Sequence, residues 1–306
     1  MSATAAPPRM SIIIPHLNQP EALAACLNSL AIGAAQPDEV FVVDNGSKEL
    51  PHAVCDAAGA TLLQEPEPGP GPARNTGVAA STGEILACID ADCLSEPGWI
   101  ADFRARFTAA SPPEIAGGDV RIAWRTPPRL TDLEAYESVY AYRMDRYIAR
   151  ENFTGTGNLA TWRRIYDQVG PFAGIGVAED RDWGQRAHAK GYRITYLADM
   201  KVYHPAREAF AELCKKWDRQ SAHDYKRNQT RSLPAIRWLA RTGAIAVSPL
   251  AEVPRILNCD RISGMGTRWQ AWRCLLKIRL YRARIMLEIM RTGDPDRLSG
   301  GWNRGS

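Results

Sequence analysis

Apolar residues first gather in a short continuous block, Met10 to Pro15 (MSIIIP), and a second, β-branched block runs from Glu39 to Asp44 (EVFVVD) and stops at Asn45-Gly46. Between them Leu23, Cys26, Leu27 and Leu30 recur at the spacing of one helix face, so the pattern predicts strand, helix, strand. Ile85 to Ile89, after Thr82-Gly83, is a third continuous apolar run, as expected of a strand buried on both faces of a parallel sheet. The PEPGPGPAR segment before it predicts a shaped loop, with a helix behind it from Asn75 to Ala80. Alternating β and α elements predict a doubly wound sheet whose loops after the strands line the ligand side.

Leu133, Tyr136, Val139, Tyr140 and Tyr147 predict one long amphipathic helix over 130–150, and 192–196 and 201–203 read as two late strands. From Arg207 the pattern changes to basic helical segments broken near Pro234, Pro249 and Pro254. This places a loose tail at 1–9, an α/β domain at 10–205 and a basic helical region at 206–306. Within 268–291, Trp269, Trp272, Leu276, Leu280, Leu287 and Met290 fall near one helical stripe, with Arg273, Lys277, Arg282, Arg284 and Arg291 elsewhere. Such a helix suits an anionic membrane surface, packing on the α/β domain, or a dimer contact.

Composition narrows the class. The 306 residues are 45% hydrophobic and 24% charged, which excludes a wholly disordered or collagen-like chain. The net charge of +4 conceals an asymmetry: residues 1–200 carry 17 basic and 25 acidic side chains, whereas 201–306 carry 21 and 9. The C-terminal third is therefore expected to meet something anionic. Seven cysteines form no CxxC pair, so neither a disulfide framework nor a zinc cage is expected, and the compartment is expected to be reducing. MSATAAPPR has no apolar core of a secretory signal, and no run reaches the ~18 apolar residues of a membrane span. A cytoplasmic location is expected, either free or peripheral on the inner face of the cell membrane.

The strongest local chemistry is Ile89-Asp90-Ala91-Asp92 at the end of the third strand. Carboxylates at i and i+2 on an extended segment point the same way and suit Mg²⁺ or Mn²⁺; the alternative is that they cap a following helix. Arg74, at a helix start behind the glycine-rich loop, suits pyrophosphate oxygens. Gly69, Gly71 and Arg74 half-imitate a dinucleotide fingerprint, but the third glycine is missing and the preceding QEPEP segment is no strand, which rejects a dehydrogenase.

In order, IIIPHLN (12–18), VVDNGS (42–47), GPARNTG (71–77), GEILACIDADC (83–93) and AEDRDW (178–183) resemble the motifs of family 2 glycosyltransferases, over residues 10–205. The resemblance implies a GT-A fold, a mostly parallel sheet flanked by helices, here with a helical C-terminal extension. It implies metal-dependent, inverting transfer of a sugar from a nucleotide sugar, expected to be a UDP-sugar, to a lipid-linked or saccharide acceptor. Nucleotide contacts are implied for Pro15, Asn18, Asp44, Arg74, Asn75 and Asp90. His16 stands where the family more often has threonine or a small residue. Asp92 is implied as the metal ligand, with His204 beside it. Asp180 is implied as the base that deprotonates the acceptor, Glu179 as its substitute and Asp182 as a weaker third. Asn158, in the Gly155-Thr156-Gly157 loop, is an implied substrate contact, Trp183 either walls a substrate sugar ring or packs in the core, and 174–177 reads as a lid. The competing readings are a sugar nucleotidyltransferase and a noncatalytic protein that binds membranes or polyanions. Nucleic acid is not expected, because the basic region carries no reader motif.

Overall fold

Strand β1 (Met10–His16) is the first apolar run and is buried everywhere except Pro15. Helix α1 (Pro20–Leu30) starts on a proline, whose missing N–H is not needed in a first turn, and it buries Leu23, Cys26, Leu27 and Leu30. Strand β2 (Glu39–Asp44) lies parallel to β1, in register from Ser11 opposite Glu39 to His16 opposite Asp44. There follow α2 (His52–Ala58), β3 (Thr61–Gln64), α3 (Pro70–Ala80) and β4 (Ile85–Ile89). Helix α3 starts ahead of the expected Asn75, because Gly69 takes the N-cap at φ 124° and Pro70 opens the first turn. These coordinates are a computed structural model that describes residues 7–32 and 35–295; of the tail expected at 1–9, residues 1–6 lie outside the described residues.

The chain continues through β5 (Leu94–Ser95), α4 (Trp99–Phe107), β6 (Ile115–Ala123), α5 (Asp132–Tyr140), α6 (Met144–Glu151), β7 (Asn158–Trp162), α7 (Arg163–Val169), α8 (Glu179–Ala189) and β8 (Ile194–Pro205). The strands form one sheet in the order β3-β2-β1-β4-β7-β6-β8-β5. From β3 to β4 it is parallel; β7 is antiparallel to both neighbours and β5 is antiparallel to β8, so the sheet is mixed. Helices cover both faces. Ile12 and Ile14 pack with Leu23 and Phe103 on one side, and Ile13 packs with Ala73, Ile165 and Trp183 on the other.

The two expected late strands are one. Strand β8 pairs with β6 throughout, but its register jumps between Gly118 and Asp119, from Leu197 to Lys201. This bulge interrupts the alternation that identifies a strand in sequence.

Contacts divide the chain into two units, residues up to 123 with 142–205, and 124–141 with 206 onward. The long helix expected over 130–150 is split at this division. Helix α5 ends at Ala141 in extended backbone, and Tyr142 takes a positive φ of 48°, which ends helical propagation before α6.

The second unit is helical: α5 with α9 (Phe210–Gln229), α10 (Pro234–Ala251), α11 (Val253–Leu257) and α12 (Met265–Thr292). Its core includes Leu133, Val139, Leu213, Ile256, Leu275 and Ile278. Pro249 lies inside α10 and does not break it. Proline withdraws the N–H that the Ile245 carbonyl would accept, and the Ser248 hydroxyl donates to that carbonyl instead at 2.7 Å. The apolar stripe expected on α12 is rotated: Ala271, Cys274, Leu275, Ile278, Ile285, Met286 and Ile289 are buried, whereas Trp269, Leu280 and Leu287 are exposed. Arg282, expected off the apolar stripe, is buried. No helix among the described residues is long and apolar enough to cross a membrane.

Candidate active site

At the carboxyl ends of β1 and β2, adjacent loops are tied together. The Lys48 N–H donates to Asn18 Oδ1 at 2.9 Å, and the Asn18 N–H donates to Ser47 Oγ at 2.8 Å. Asp44 is buried; its Oδ1 lies 2.9 Å from His16 Nδ1, and its Oδ2 accepts the N–H groups of Gly46 and Ser47. Burial opposes ionisation of Asp44, but the donors at Ser47, His16 and Gly46 outweigh it and hold the carboxyl below its usual range. His16, the departure from the family pattern, is thus the partner of Asp44. Pro15, the half-buried residue of β1, directly precedes His16 of this cluster.

After β4 the chain turns, with the Cys93 N–H donating to the Asp90 carbonyl at 3.0 Å. The two aspartates therefore stand in a turn and not on an extended segment. Across the turn lies Arg74 of α3, only 2% exposed. Its Nη2 donates to Asp90 Oδ1 at 2.6 Å and its Nη1 to Glu179 Oε1 at 3.0 Å. One guanidinium therefore joins the turn after β4 to the N-terminus of α8. Its Nε is buried without a partner, a donor still available to an anion. Gly157 lies against the same turn, where a Cβ would come within 2.6 Å of Asp90 Oδ2.

Asp92 meets His204 because of β5. This two-residue strand pairs Leu94 with Tyr203 and Ser95 with Val202, which carries His204 alongside Cys93 and Asp92. His204 Nε2 lies 3.2 Å from Asp92 Oδ2. On the far side of the ring, Nδ1 is 2.7 Å from the Pro205 carbonyl oxygen. A carbonyl only accepts, so Nδ1 donates to Pro205, and Nε2 is the ring atom that faces Asp92. The Tyr142 hydroxyl is 3.0 Å from Nε2 and its ring lies against the imidazole, with centroids 4.6 Å apart. Burial and the Asp90 charge push the Asp92 carboxyl upward, against the opposing effect of His204. Two ligands at right angles on a cation with bonds of roughly 2.1 Å stand about 3 Å apart, so the His204–Asp92 pair fits a hard divalent ion. Cys93 also approaches the carboxylates, but burial raises its thiol well above the ordinary range.

Glu179 and Asp180 begin α8. Asp180 Oδ1 accepts the Arg181 N–H at 2.7 Å. Burial first, then the neighbouring Glu179 charge, raise its carboxyl to about 6. Its Oδ2 comes within 4.0 Å of the Cβ position of Gly155, so the glycine loop before β7 passes between Asp90 and Asp180.

Four of the expected site residues are engaged by the protein itself. Asn158 is fully buried: its Oδ1 accepts from Trp99 Nε1 and its Nδ2 donates to the Asp119 and Met200 carbonyls, so it braces the sheet and does not reach a substrate. Trp183 is likewise fully buried, donating to the Gly170 carbonyl and packing on Phe172 and Tyr166. The Asn75 amide is occupied by Tyr166 and the Phe172 backbone. Asp182 is paired with Arg186 one turn along α8.

The sequence profile described as glycosyl transferase family 2 matches residues 11–169. The chain belongs to this family. Glycosyltransferase AglE of Haloferax volcanii is 33% identical over 218 residues, 68% of this chain and 70% of that protein. Two solved structures share the GT-A fold. Mannosyltransferase PcManGT from Pyrobaculum calidifontis, solved with GDP-Man and Mn²⁺, has a TM-score of 0.57 at 17% identity, covering 95% of this chain and 89% of its own. Glucosyl-3-phosphoglycerate synthase from Mycobacterium tuberculosis, solved with Mn²⁺, UDP and phosphoglyceric acid, has a TM-score of 0.50 at 20% identity, covering 67% and 73%.

Two contacts of the candidate site have no signature in the sequence. Tyr142 touches His204 across 62 positions of chain, and its only local signal, a positive φ, is invisible in residue types. The joint between Asp90 and Glu179 through Arg74 is equally silent, because each residue belongs to a different motif.

Proposed function

We propose that this glycosyltransferase moves a sugar from a UDP-linked donor to an acceptor hydroxyl in one inverting displacement that depends on Mg²⁺ or Mn²⁺. The observation that carries the reading is the Arg74 joint, which holds the nucleotide-side Asp90 and the acceptor-side Glu179 on one guanidinium. The donor diphosphate lies beside Asp92 and His204, with Pro15, Asn18 and Asp44 shaping the nucleoside end. A bound divalent ion there would neutralise the charge that develops on the departing diphosphate. Asp180, at the head of α8, takes the acceptor proton as the anomeric carbon is attacked, and the nucleoside diphosphate leaves from the opposite face, which inverts configuration. The raised carboxyl of Asp180 suits it to hold a proton near neutral pH. Arg74 positions both sides and presents its free Nε toward anionic oxygens.

The acceptor belongs to the lipid-linked or saccharide class, met at a membrane surface. Exposed Ile236, Leu239, Val247 and Leu250 share one stripe of α10, in a region that carries 21 basic and 9 acidic residues. That combination supports peripheral attachment to anionic lipid.

Calorimetry of UDP binding with and without Mn²⁺, alongside mass spectrometry of donor cleavage over a panel of UDP- and GDP-sugars, tests the reading. UDP is expected to bind only with the metal, and His204→Ala is expected to weaken Mn²⁺ at least tenfold. Equal UDP affinity in excess chelator overturns it.

A further inference from the structure

The helical unit contains a cation that the sugar-transfer reading leaves unused. Arg282 of α12 is 5% exposed, yet it has no ion pair and no hydrogen bond among the described residues. Its guanidinium carbon lies over the Trp217 ring of α9, 3.6 Å from the centroid. Stacking satisfies the face of the guanidinium and leaves its edge of N–H donors unanswered. Nε is fully enclosed without an acceptor. One turn beyond Trp217, on the same face of α9, the Ser221 hydroxyl is also buried without a partner.

The surroundings add positive charge. Arg279, one turn before Arg282 and half-buried, has no ion pair among the described residues. Of the other groups that act on Arg282, Arg241 is a cation whose charge is answered by Asp224, and Tyr136 is neutral. Asp224, the one carboxylate among them, is thus already engaged. Nearby Asp218 accepts from the Tyr281 hydroxyl on both oxygens. Buried donors lacking acceptors are rare in folded proteins, and a buried guanidinium lacking an anion is rarer. An oxyanion is the acceptor that Arg282 Nε lacks, and the Ser221 hydroxyl is a second unanswered donor on the helix that carries Trp217.

We propose that Arg282, Arg279 and Ser221, on the Trp217 platform, form a second anion site, outside the sugar-transfer centre, that takes a terminal phosphate or diphosphate group. Arginine forks pair bidentately with phosphate oxygens, and a terminal phosphate offers enough of them to reach donors on two helices. The group can be carried by a lipid headgroup or by a soluble phosphate ester. The site stands independently of the sugar-transfer reading.

Titrating the full chain with inorganic pyrophosphate in excess chelator tests it, because chelation removes any divalent-ion route to the nucleotide site. Saturable binding is expected, weakened at least tenfold by Arg279→Gln, with Mn²⁺-dependent UDP binding unchanged in that variant. The same anion is expected to raise the thermal midpoint of the parent and not of the variant. Arg282→Lys, which keeps the charge and loses the fork, is expected to fall between them. Arg279 is partly exposed, so its variant decides the matter even where changes at Arg282 impair folding. Vesicle sedimentation separates the sources: preference for phosphatidate over phosphatidylglycerol at equal charge, lost in Arg279→Gln, assigns a lipid headgroup, and pyrophosphate binding without that preference assigns a soluble ester. Absence of pyrophosphate binding, or equal affinity in parent and Arg279→Gln, overturns the site.

Discussion

A carboxyl raised to about 6 does two measurable things at Asp180. As a base it works only when ionised, so kcat/KM is expected to rise with pH through an acidic limb near 6 and to level off above it. Asp180→Asn removes that limb with the activity, by roughly 10²- to 10⁴-fold, the usual worth of a positioned base. The same shift has a consequence for folding. Because the folded-state value lies above the unfolded one, the protonated side chain favours the fold, and this benefit is lost as pH rises through about 6. Asn is neutral throughout, so Asp180→Asn is expected to melt higher than the parent at pH 7, with the difference closing toward pH 4. A variant that is inactive yet no less stable marks a group kept for chemistry and not for packing; a lower melting temperature at pH 7 would contradict this assignment. The residues themselves were legible, since Asp90, Asp92, Glu179 and Asp180 stand in recognisable motifs. Their joints were not: Arg74 reaches Glu179 across 105 positions, and residue types carry no information about such a meeting. Asn158 and Trp183 show the converse, because a motif position names a residue without saying which way its side chain faces.

Periodicity reads an element well when it has one apolar face. Helix α1 has one, and every position of the expected stripe is buried. Helix α12 has two, and the sequence reading chose the one that includes Trp269, Leu280 and Leu287. The buried face carries smaller and β-branched residues, Ala271, Cys274, Ile278 and Ala283, which allow the closer approach of a neighbouring helix. The two faces are separable in denaturant. Ile278→Ala is expected to lower stability by about 2–5 kcal/mol, as for a fully buried aliphatic side chain, whereas Leu280→Ala should stay within about 0.5 kcal/mol. Urea midpoints at unchanged m-value would measure both, and equal losses would reverse the orientation assigned to the helix. The boundary between α5 and α6 was illegible for another reason. The residue types at 141–147 are compatible with helix, and it is the extended backbone at Ala141 and the left-handed backbone at Tyr142 that break it.

Charge is the property of the whole molecule that its sequence displays openly, and its meaning depends on where apolar surface accompanies it. Residues 201–306 carry 21 basic and 9 acidic side chains, but a basic surface alone attracts any polyanion. The stripe of α10 narrows the choice. Ile236, Leu239, Val247 and Leu250 project from one side of the helix, while Trp238, Thr242, Ile245 and Pro249 are buried on the other. A helix that spends one apolar face on its own core retains a second for an apolar phase, and cations in the same region supply the long-range attraction. Electrostatic capture and apolar insertion respond to different perturbations. Binding to phosphatidylglycerol vesicles is expected to weaken as salt is raised from 0.1 to 0.5 M, since the Debye length falls to roughly half over that range. Ile236→Ser with Leu250→Ser is expected to weaken binding at both salt concentrations, and to leave UDP binding unchanged, because neither residue belongs to the α/β unit that carries the active site. Vesicle binding that ignores the double variant at high salt would reduce the attachment to charge alone, and the stripe of α10 would then have no part in it.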